Sequence, residues 1–339
     1  MNSKPFIVIG EKIHCTRIFK TEGNRVRKNS DGTFGLGYVR GGEERTLPVP
    51  ADIVAGREWA AGKVKHCVVA IRQARQGEGE ARALGLDYLQ ALAEEQEVQG
   101  AHYLDVNVDE YTTDAAERAE VMRWVVDVVQ RASRLPLSID SSQTSTLRAG
   151  LAACDRARGR PMLNSASLER AEAIGLTAEF DADVIASAAG ERTMPRTVEE
   201  RLAHLRALVA RLKGLGRPDD SLFLDPLVFP VATDGRNSRS FIEAVAAARR
   251  EFGPAVHITG GFSNVSFGLP NRRLINVVFT WLAREAGADS GIVDPAQING
   301  AILDALDTRS EGFRLARALL MNEDEYGAEY IAAAREGRI

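Results

Sequence analysis

The sequence predicts an α/β fold: a single (β/α)8 TIM barrel with an insertion after the first strand. Short segments rich in Val, Ile and Leu alternate with longer amphipathic segments, a pattern typical of parallel strands joined by helices. We count eight such apolar segments, the number that closes a barrel. The chain has 339 residues, more than the roughly 250 of an ordinary barrel, and the surplus falls within one connection.

Several of the apolar segments lack the polar alternation of a half-exposed sheet, as expected for strands covered on both faces. The predicted strands span residues 6–13, 103–108, 137–140, 162–164, 183–187, 222–227, 257–259 and 291–294. The segments between them carry apolar residues at three- and four-residue spacing and predict helices. These helices span residues 57–75, 79–99, 115–132, 198–212, 240–252 and 273–286.

The connection between the first two strands holds the surplus length, and residues 16–56 form the insertion. This segment is polar and Gly-rich, with a hairpin turn predicted at residues 29–32. It has too few apolar residues for a core of its own, so residues 1–339 are expected to form one domain. Because it follows a strand, we expect it at the C-terminal mouth of the barrel, as a lid or docking segment.

Composition and charge argue against several classes of protein. Lys and Arg total 43 against 47 Asp and Glu, and no basic stripe indicates a nucleic-acid-binding surface. No apolar run reaches the ~20 residues of a membrane-spanning helix, and the first residues lack a signal-peptide pattern. Three widely spaced cysteines predict free thiols without metal-ligand spacing. We therefore expect a cytoplasmic protein that binds no nucleic acid, no membrane and no metal.

Polar side chains end six of the predicted strands. Because the carboxyl ends of barrel strands share one mouth, they predict a ring of carboxylates and amides. Helix N-capping explains any one of them, but six together predict a ligand with many N–H groups. An amino-pyrimidinone ring fits, since Asp accepts from ring N–H and NH2 groups while Asn both donates and accepts. The residues are Asp105, Asn107, Asp140, Asn164, Asp225, Asn264 and Asp294.

Other catalytic patterns do not occur in the sequence. There is no G-x-S-x-G or H-E-x-x-H, and no G-x-G-x-x-G follows the first strand. The glycine-rich residues 32–42 lack the Lys-Ser/Thr of a phosphate loop. The five histidines are scattered, and His102 and His257 are expected to pack or to face solvent.

Six motifs follow one another along the chain. They are Ile9-Gly10-Glu11-Lys12-Ile13, Leu104-Asp105-Val106-Asn107, Ser138-Ile139-Asp140-Ser141, Leu163-Asn164-Ser165, Leu224-Asp225-Pro226-Leu227 and Gly261-Phe262-Ser263-Asn264-Val265-Ser266-Phe267-Gly268-Leu269-Pro270-Asn271-Arg272. Their order and content resemble the methyltetrahydrofolate:corrinoid methyltransferases, pterin-binding barrels that include the folate module of cobalamin-dependent methionine synthase. The resemblance covers residues 6–13 and 100–300, and its last motif is long and specific.

The resemblance implies that tetrahydrofolate or 5-methyltetrahydrofolate binds as substrate at the C-terminal mouth of the barrel. In the family the pterin is held by the Asp of the third strand, the Asn of the fourth and the Asp of the sixth. These correspond to Asp140, Asn164 and Asp225. Asn264 corresponds to the Asn that hydrogen-bonds near N5, and is implied to be catalytic together with Asp140 and Asp225. The residues implied to complete the pocket are Asp105, Asn107, Ser263 and Phe267.

The implied reaction moves a methyl group between N5 and the cobalt of a corrinoid, in either direction. No D-x-H-x-x-G occurs, so cobalamin is expected on a separate corrinoid protein, the partner of this chain. Family members are often dimers, and a homodimer is expected here. Two positions depart from the family: Phe262 stands where Leu is more usual, and Phe267 where some relatives carry a polar side chain.

Two other functions stay open. Dihydropteroate synthase shares the barrel and the pterin pocket, but would be expected to show a Ser-Arg-Lys type motif on the seventh strand and an Arg-x-His near the end. This chain has Ser263-Asn264 and ends Arg-Glu-Gly-Arg-Ile. A non-catalytic folate-binding subunit would show the same binding residues, although the presence of Asn264 argues against it.

Overall fold

A computed structural model describes residues 5–339, and its main feature is a sheet of eight strands accompanied by two small sheets. The strands are β1 (Ile7–His14), β2 (Ile18–Lys20), β3 (Val26–Lys28), β4 (Phe34–Arg40), β5 (Glu43–Pro48), β6 (Lys63–Lys65), β7 (Tyr103–Asn107), β8 (Leu137–Asp140), β9 (Met162–Ala166), β10 (Asp183–Ser187), β11 (Leu222–Asp225), β12 (His257–Ile258) and β13 (Ser290–Val293).

The helices lie mostly between the strands of the large sheet. They are α1 (Ala51–Val54), α2 (Arg57–Ala60), α3 (His66–Gln76), α4 (Gly79–Val98), α5 (Ala115–Gln130), α6 (Thr144–Ala153), α7 (Ala171–Glu179), α8 (Val198–Gly214), α9 (Arg236–Phe252), α10 (Arg272–Ala286), α11 (Gly300–Asp304), α12 (Glu311–Leu320) and α13 (Ala328–Arg335). Short 3-10 helices span Arg156–Arg158, Asp219–Ser221, Phe262–Ser266 and Glu325–Gly327.

The strands of the large sheet follow the order β12-β11-β10-β9-β8-β7-β1-β13. Its two end strands are also linked, because the N–H groups of Asp289 and Ile292 donate to the carbonyls of Ile258 and Gly260 at 3.2 and 3.0 Å. The sheet therefore closes as an eight-stranded parallel barrel with helices between the strands, and the predicted fold class is confirmed.

All eight predicted barrel strands are present, with ends within about two residues of the predicted ones. The helices predicted from residues 79, 115, 198 and 273 are also confirmed, and the helix predicted from residue 240 begins four residues earlier, at Arg236. The predicted helices did not include α1, α6, α7 or the three helices from residue 300 onward.

The helix predicted over residues 57–75 is wrong in its first half. Helix α2 ends at Ala60, β6 follows, and α3 begins only at His66. Gly62 adopts a φ of +76°, a left-handed conformation that ends a helix. Strand β6 then pairs with β2, so a contact with a distant segment overrides the local helical pattern.

The predicted hairpin turn at residues 29–32 is confirmed. The Asn29 N–H donates to the Thr33 carbonyl at 2.8 Å, and β3 pairs antiparallel with β4. Strand β5 adds a third strand, and the small sheet packs on α4 through the buried side chain of Leu36 and the Tyr38 hydroxyl, which donates to Asp87 at 2.6 Å. The insertion is therefore stabilised by packing on helix α4 and not by a hydrophobic core of its own.

The chain divides into two compact units, and β1 contributes to both. What we call the first unit contains Glu11–Val98 and Tyr103–Pro161, and the second unit contains the described residues up to Gly10, Gln99–His102 and Met162–Ile339. Within residues 5–339, no helix combines the length and apolar character needed to cross a membrane.

Candidate active site

Strands β7 and β8 of the first unit bring four polar side chains together. Their parallel register sets Asp105 opposite Ser138 and Asn107 opposite Asp140. Side chains two residues apart on a strand share a face, so these four residues line the same face of the pair. The three predicted residues Asp105, Asn107 and Asp140 thus form one group.

His14, the last residue of β1, joins this group. Its Nε2 lies 2.7 Å from Asp105 Oδ2, and both side chains are buried. The side-chain ligand atoms of His14, Asp105 and Asp140 all lie within 4.8 Å of one another. Histidine and carboxylates also occur together at metal centres, and here a hydrogen bond joins His14 to Asp105.

The charge state of Asp140 depends on these neighbours. Desolvation, followed by the nearby Asp105 charge, raises the pKa of Asp140 to about 7. The His14 charge and the hydrogen bond donated by Asn107 Nδ2 to Asp140 Oδ2, at 2.9 Å, oppose that rise. Asp140 therefore gains its charge close to neutral pH, and the charge of His14 favours that ionisation.

The surroundings of His14 favour its charged form. Burial lowers its pKa, but the hydrogen bond and charge of Asp105, with the charges of Asp140 and Glu11, outweigh burial and raise the pKa above its usual value. A positive charge on His14 is therefore favoured beside Asp140.

One hydroxyl in this group has no partner. Ser138 is fully buried, lies opposite Asp105 in the strand register, and its Oγ makes no hydrogen bond to any residue in the range 5–339. A buried polar group without a partner costs free energy, so a ligand or water that reached it would be stabilised there.

In the second unit, Asp225 ends β11 as a buried carboxylate. Its Oδ1 accepts a hydrogen bond from the Leu227 N–H at 2.8 Å, whereas no group of residues 5–339 donates to its Oδ2. Burial raises the pKa of Asp225 to about 6, with the Leu227 N–H and the Arg201 charge opposing the rise. One carboxylate oxygen is therefore available to a ligand.

The turn that holds Asp225 is fixed by a buried arginine. Arg201 Nη1, on α8, donates to the carbonyls of Pro226 and Leu227 at 2.9 and 2.8 Å. Leu227 adopts a φ of +72°, a strained conformation for a non-glycine residue, which these bonds help to maintain.

Asn164 lies in β9 and is buried. Strand β10 separates it from Asp225, with Ile185 opposite Asn164 and Ser187 opposite Asp225. The structure thus places both predicted side chains near the carboxyl ends of strands of one unit, one strand apart.

The 3-10 helix Phe262–Ser266 carries Asn264, which is exposed. Its carboxamide makes no hydrogen bond to any of residues 5–339, so it is free to bind a ligand. A Cβ on Gly261 would lie 3.0 Å from Asn264 Nδ2, so glycine makes room for the amide. Phe262 anchors the helix, because it is fully buried and packs edge-on against Phe241 and Phe279.

Ser263 and Phe267 flank Asn264 and are tied together by Arg272. The guanidinium donates to the Ser263 carbonyl at 2.8 Å and lies 4.4 Å from the centre of the Phe267 ring. About half of the Phe267 side chain is exposed, so an apolar surface stays open beside the Asn264 amide.

One member of the predicted ring has a local role. Asp294 accepts hydrogen bonds from the Ala296 N–H at 3.1 Å and from Gln297 Nε2 at 3.0 Å, as in an ordinary turn. His14 and Arg201 were not among the predicted site residues. His14 directly follows a predicted strand, and that position was a usable signal, whereas Arg201 shows only the pattern of an exposed helix residue.

Comparisons with known proteins show which family the chain resembles. The profile of the family described as "Pterin binding enzyme" matches residues 79–294. The methylcorrinoid:tetrahydrofolate methyltransferase of Eubacterium limosum is 30% identical over 247 residues, which cover 71% of this chain and 84% of that protein. The methionine synthase of Mycobacterium tuberculosis is 33% identical over 228 residues, 62% of this chain but only 19% of that longer protein.

Solved structures show the same barrel. A dihydropteroate synthase of Xanthomonas albilineans with 4-aminobenzoic acid superposes with a TM-score of 0.51 and 21% identity, over 67% of this chain and 86% of that one. At that identity the likeness establishes the fold alone.

Proposed function

We propose that this chain, which belongs to the family of pterin-binding enzymes, transfers a methyl group between N5 of tetrahydrofolate and the cobalt of a corrinoid carried by a separate protein. The similarity to a methylcorrinoid:tetrahydrofolate methyltransferase over most of that protein's length supports this reaction. Either direction of transfer is compatible with the residues present.

The observation that carries the proposal is that two carboxylates, Asp140 and Asp225, each stand at the carboxyl end of a barrel strand. A reduced pterin presents ring N–H and NH2 groups that need such acceptors. We assign Asp140, Asn164 and Asp225 to binding of the pterin. The residues assigned to the rest of the pocket are Asp105, Asn107, Ser263 and Phe267.

Asn264 is assigned to the reacting nitrogen. When the bond between the methyl carbon and N5 breaks, its electron pair stays on N5, which must gain a proton or a strong hydrogen bond. The Asn264 carboxamide is exposed and uncommitted, so it can donate to N5. Because an amide cannot release a proton, it accelerates the reaction by a hydrogen bond that strengthens in the transition state. The proton reaches N5 through water or through the carboxylates assigned to the pterin, Asp140 and Asp225.

The corrinoid supplies the nucleophile, cobalt(I), whose electron pair forms the new bond to the methyl carbon. The chain must therefore leave the methyl group accessible on the side opposite N5. Exclusion of water from the pterin by Phe267 would strengthen the hydrogen bonds around N5.

The test is spectroscopic. The protein is mixed with cob(I)alamin and 5-methyltetrahydrofolate, and separately with methylcobalamin and tetrahydrofolate. We expect the cobalt spectrum to change in at least one mixture, at a rate proportional to enzyme concentration. Unchanged spectra in both mixtures would overturn the proposal.

We also propose that residues 16–56 act as a lid or docking segment for the corrinoid protein, and that the enzyme is a cytoplasmic homodimer. The insertion is supported in this role by its position in the chain, directly after the first barrel strand. Part of it is committed to packing on α4, where Arg40 forms ion pairs with Asp87 and Glu94, both at 2.6 Å. Its exposed cations, including Lys20 and Lys28, stay available to a partner.

A further inference from the structure

The second unit contains a cavity of about 680 Å³ lined by segments that follow β10 and β11. Residues 193–196 form one wall and residues 229–237 the other. Its lining includes three arginines, Arg196, Arg201 and Arg236, but a single carboxylate, Asp234. Asp234 is paired with Arg236 at 3.0 Å. The cavity therefore has an excess of positive charge.

Arg201 gives this cavity its distinctive chemistry. The residue is only 1% exposed, and among residues 5–339 no carboxylate lies within ion-pair distance of it. Its Nη1 is used by two backbone carbonyls, but its Nε has no partner. Burial of this cation is costly, since only the charge of Asp225, beyond ion-pair distance, favours it, and a bound anion would offset that cost.

Phe229 adds an apolar surface to the same cavity. Its ring centre lies 5.3 Å from the guanidinium carbon of Arg201. An aromatic face beside a cluster of guanidinium groups suits a ligand that combines an aromatic ring with carboxylates.

The cavity is connected to the Asp225 turn through Arg201, because the same guanidinium binds the Pro226 and Leu227 carbonyls. Asp225 is one of the residues assigned to the pterin. Beyond its pterin, tetrahydrofolate carries a benzoyl ring and one or more glutamyl groups, each with a free carboxylate.

We propose that this arginine-lined cavity binds the glutamyl tail of the folate substrate, and that the protein prefers folates with several glutamyl groups. The inference rests on the proposed function, since it extends the same substrate. The Phe229 ring would lie against the benzoyl group, and Arg196 and Arg236 would pair with carboxylates.

The test compares three ligands by calorimetry: tetrahydrofolate with one glutamate, tetrahydrofolate with three, and 6-methyltetrahydropterin, which has no tail. For the wild-type protein we expect the triglutamate to bind about tenfold more tightly than the monoglutamate. This difference in affinity should become smaller at high salt, because salt screens the charges. In the double variant Arg196→Gln/Arg236→Gln the preference should disappear, while 6-methyltetrahydropterin binds as before. Both side chains are exposed, so the fold does not depend on them.

The matched control is Arg206→Gln, on α8 but outside the cavity, where Arg206 pairs with Glu251. It should retain the wild-type preference. No preference in the wild type, or the same preference in the double variant, would overturn the inference. If the only defect of the double variant is impaired turnover with the corrinoid protein, the cavity would be assigned to that partner instead. Failure of 6-methyltetrahydropterin to bind the wild type would count against the proposed function itself, because that ligand lacks the tail.

Discussion

At the scale of single residues, substitution of Asn264 best separates an effect on turnover from an effect on substrate binding. Replacing it with Ala removes a donor that acts mainly in the transition state. We expect Asn264→Ala to lower the turnover number about 10²-fold or more, while the Kd for tetrahydrofolate changes by less than about fivefold. Stopped-flow absorbance gives the turnover and calorimetry the affinity. Equal losses in both would show that Asn264 merely binds the pterin.

His14 controls a pH dependence through Asp140. Only ionised Asp140 is a pure acceptor for a pterin N–H, so wild-type affinity for 6-methyltetrahydropterin should rise as the pH rises through about 7. The His14 charge lowers the pKa of Asp140, so His14→Asn should move the midpoint upward by about one pH unit. Fluorescence titrations between pH 5.5 and 9 measure this midpoint.

The control for this experiment is His102→Asn. His102 accepts a hydrogen bond from the Val8 N–H at 3.1 Å and makes no contact with the carboxylate group. Its midpoint should equal that of the wild type. A His14→Asn protein with an unshifted midpoint would contradict the electrostatic role.

At the scale of secondary structure, close packing of α6 on β8 positions the Asp140 end of the strand. A Cβ on Gly150 would lie 2.5 Å from Ile139 Cγ2 and 2.9 Å from Met122 Cγ. Gly150→Ala should therefore lower the free energy of unfolding by about 1–3 kcal/mol, because the core cannot absorb the methyl group. Urea denaturation provides the measurement.

Gly175, in the middle of α7, is the matched control. Apart from its chain neighbours and the backbone of its own helix, no atom of the described residues lies within 4 Å of the position its Cβ would take. Gly175→Ala should raise the free energy of unfolding by about 0.4–1 kcal/mol, since it restricts the unfolded chain. Destabilisation by both substitutions would show that helix context, and not the contact with Ile139, decides the result.

At the scale of the whole molecule, the insertion can be tested without removing it. Deleting residues 16–56 would remove the small sheet and uncover the surface of α4 on which it packs, so surface substitutions are cleaner. Reversing two exposed charges with Lys20→Glu/Lys28→Glu should lower turnover with the cognate corrinoid protein about tenfold, while turnover with free cobalamin is unchanged. Steady-state kinetics with each acceptor distinguish the two effects.

Arg314→Glu, on the exposed face of α12, is the control for a general change in charge. It should affect neither acceptor. If the Lys20→Glu/Lys28→Glu protein uses both acceptors as well as the wild type, the docking role of this surface is wrong.

The barrel and much of the candidate site were predictable from the sequence because their signals are local. A strand covered on both faces is a continuous apolar run, and a polar residue at its end is visible by itself, as at Asp105, Asp140 and Asp225. The turn at residues 29–32 could also be predicted, since its residue types determine its conformation.

The tertiary structure decided the features that depend on distant partners. His14 and Asp105 are 91 positions apart in the sequence. No local pattern indicates that Asp105 raises the pKa of His14. The pairing of β6 with β2 ended a helix that local periodicity favoured. Arg201 has the sequence pattern of a surface residue, yet packing buries it with an Nε that no residue satisfies. Periodicity and residue type determined the strands and their polar ends, whereas protonation and the cation-lined cavity depend on burial and on which side chains meet.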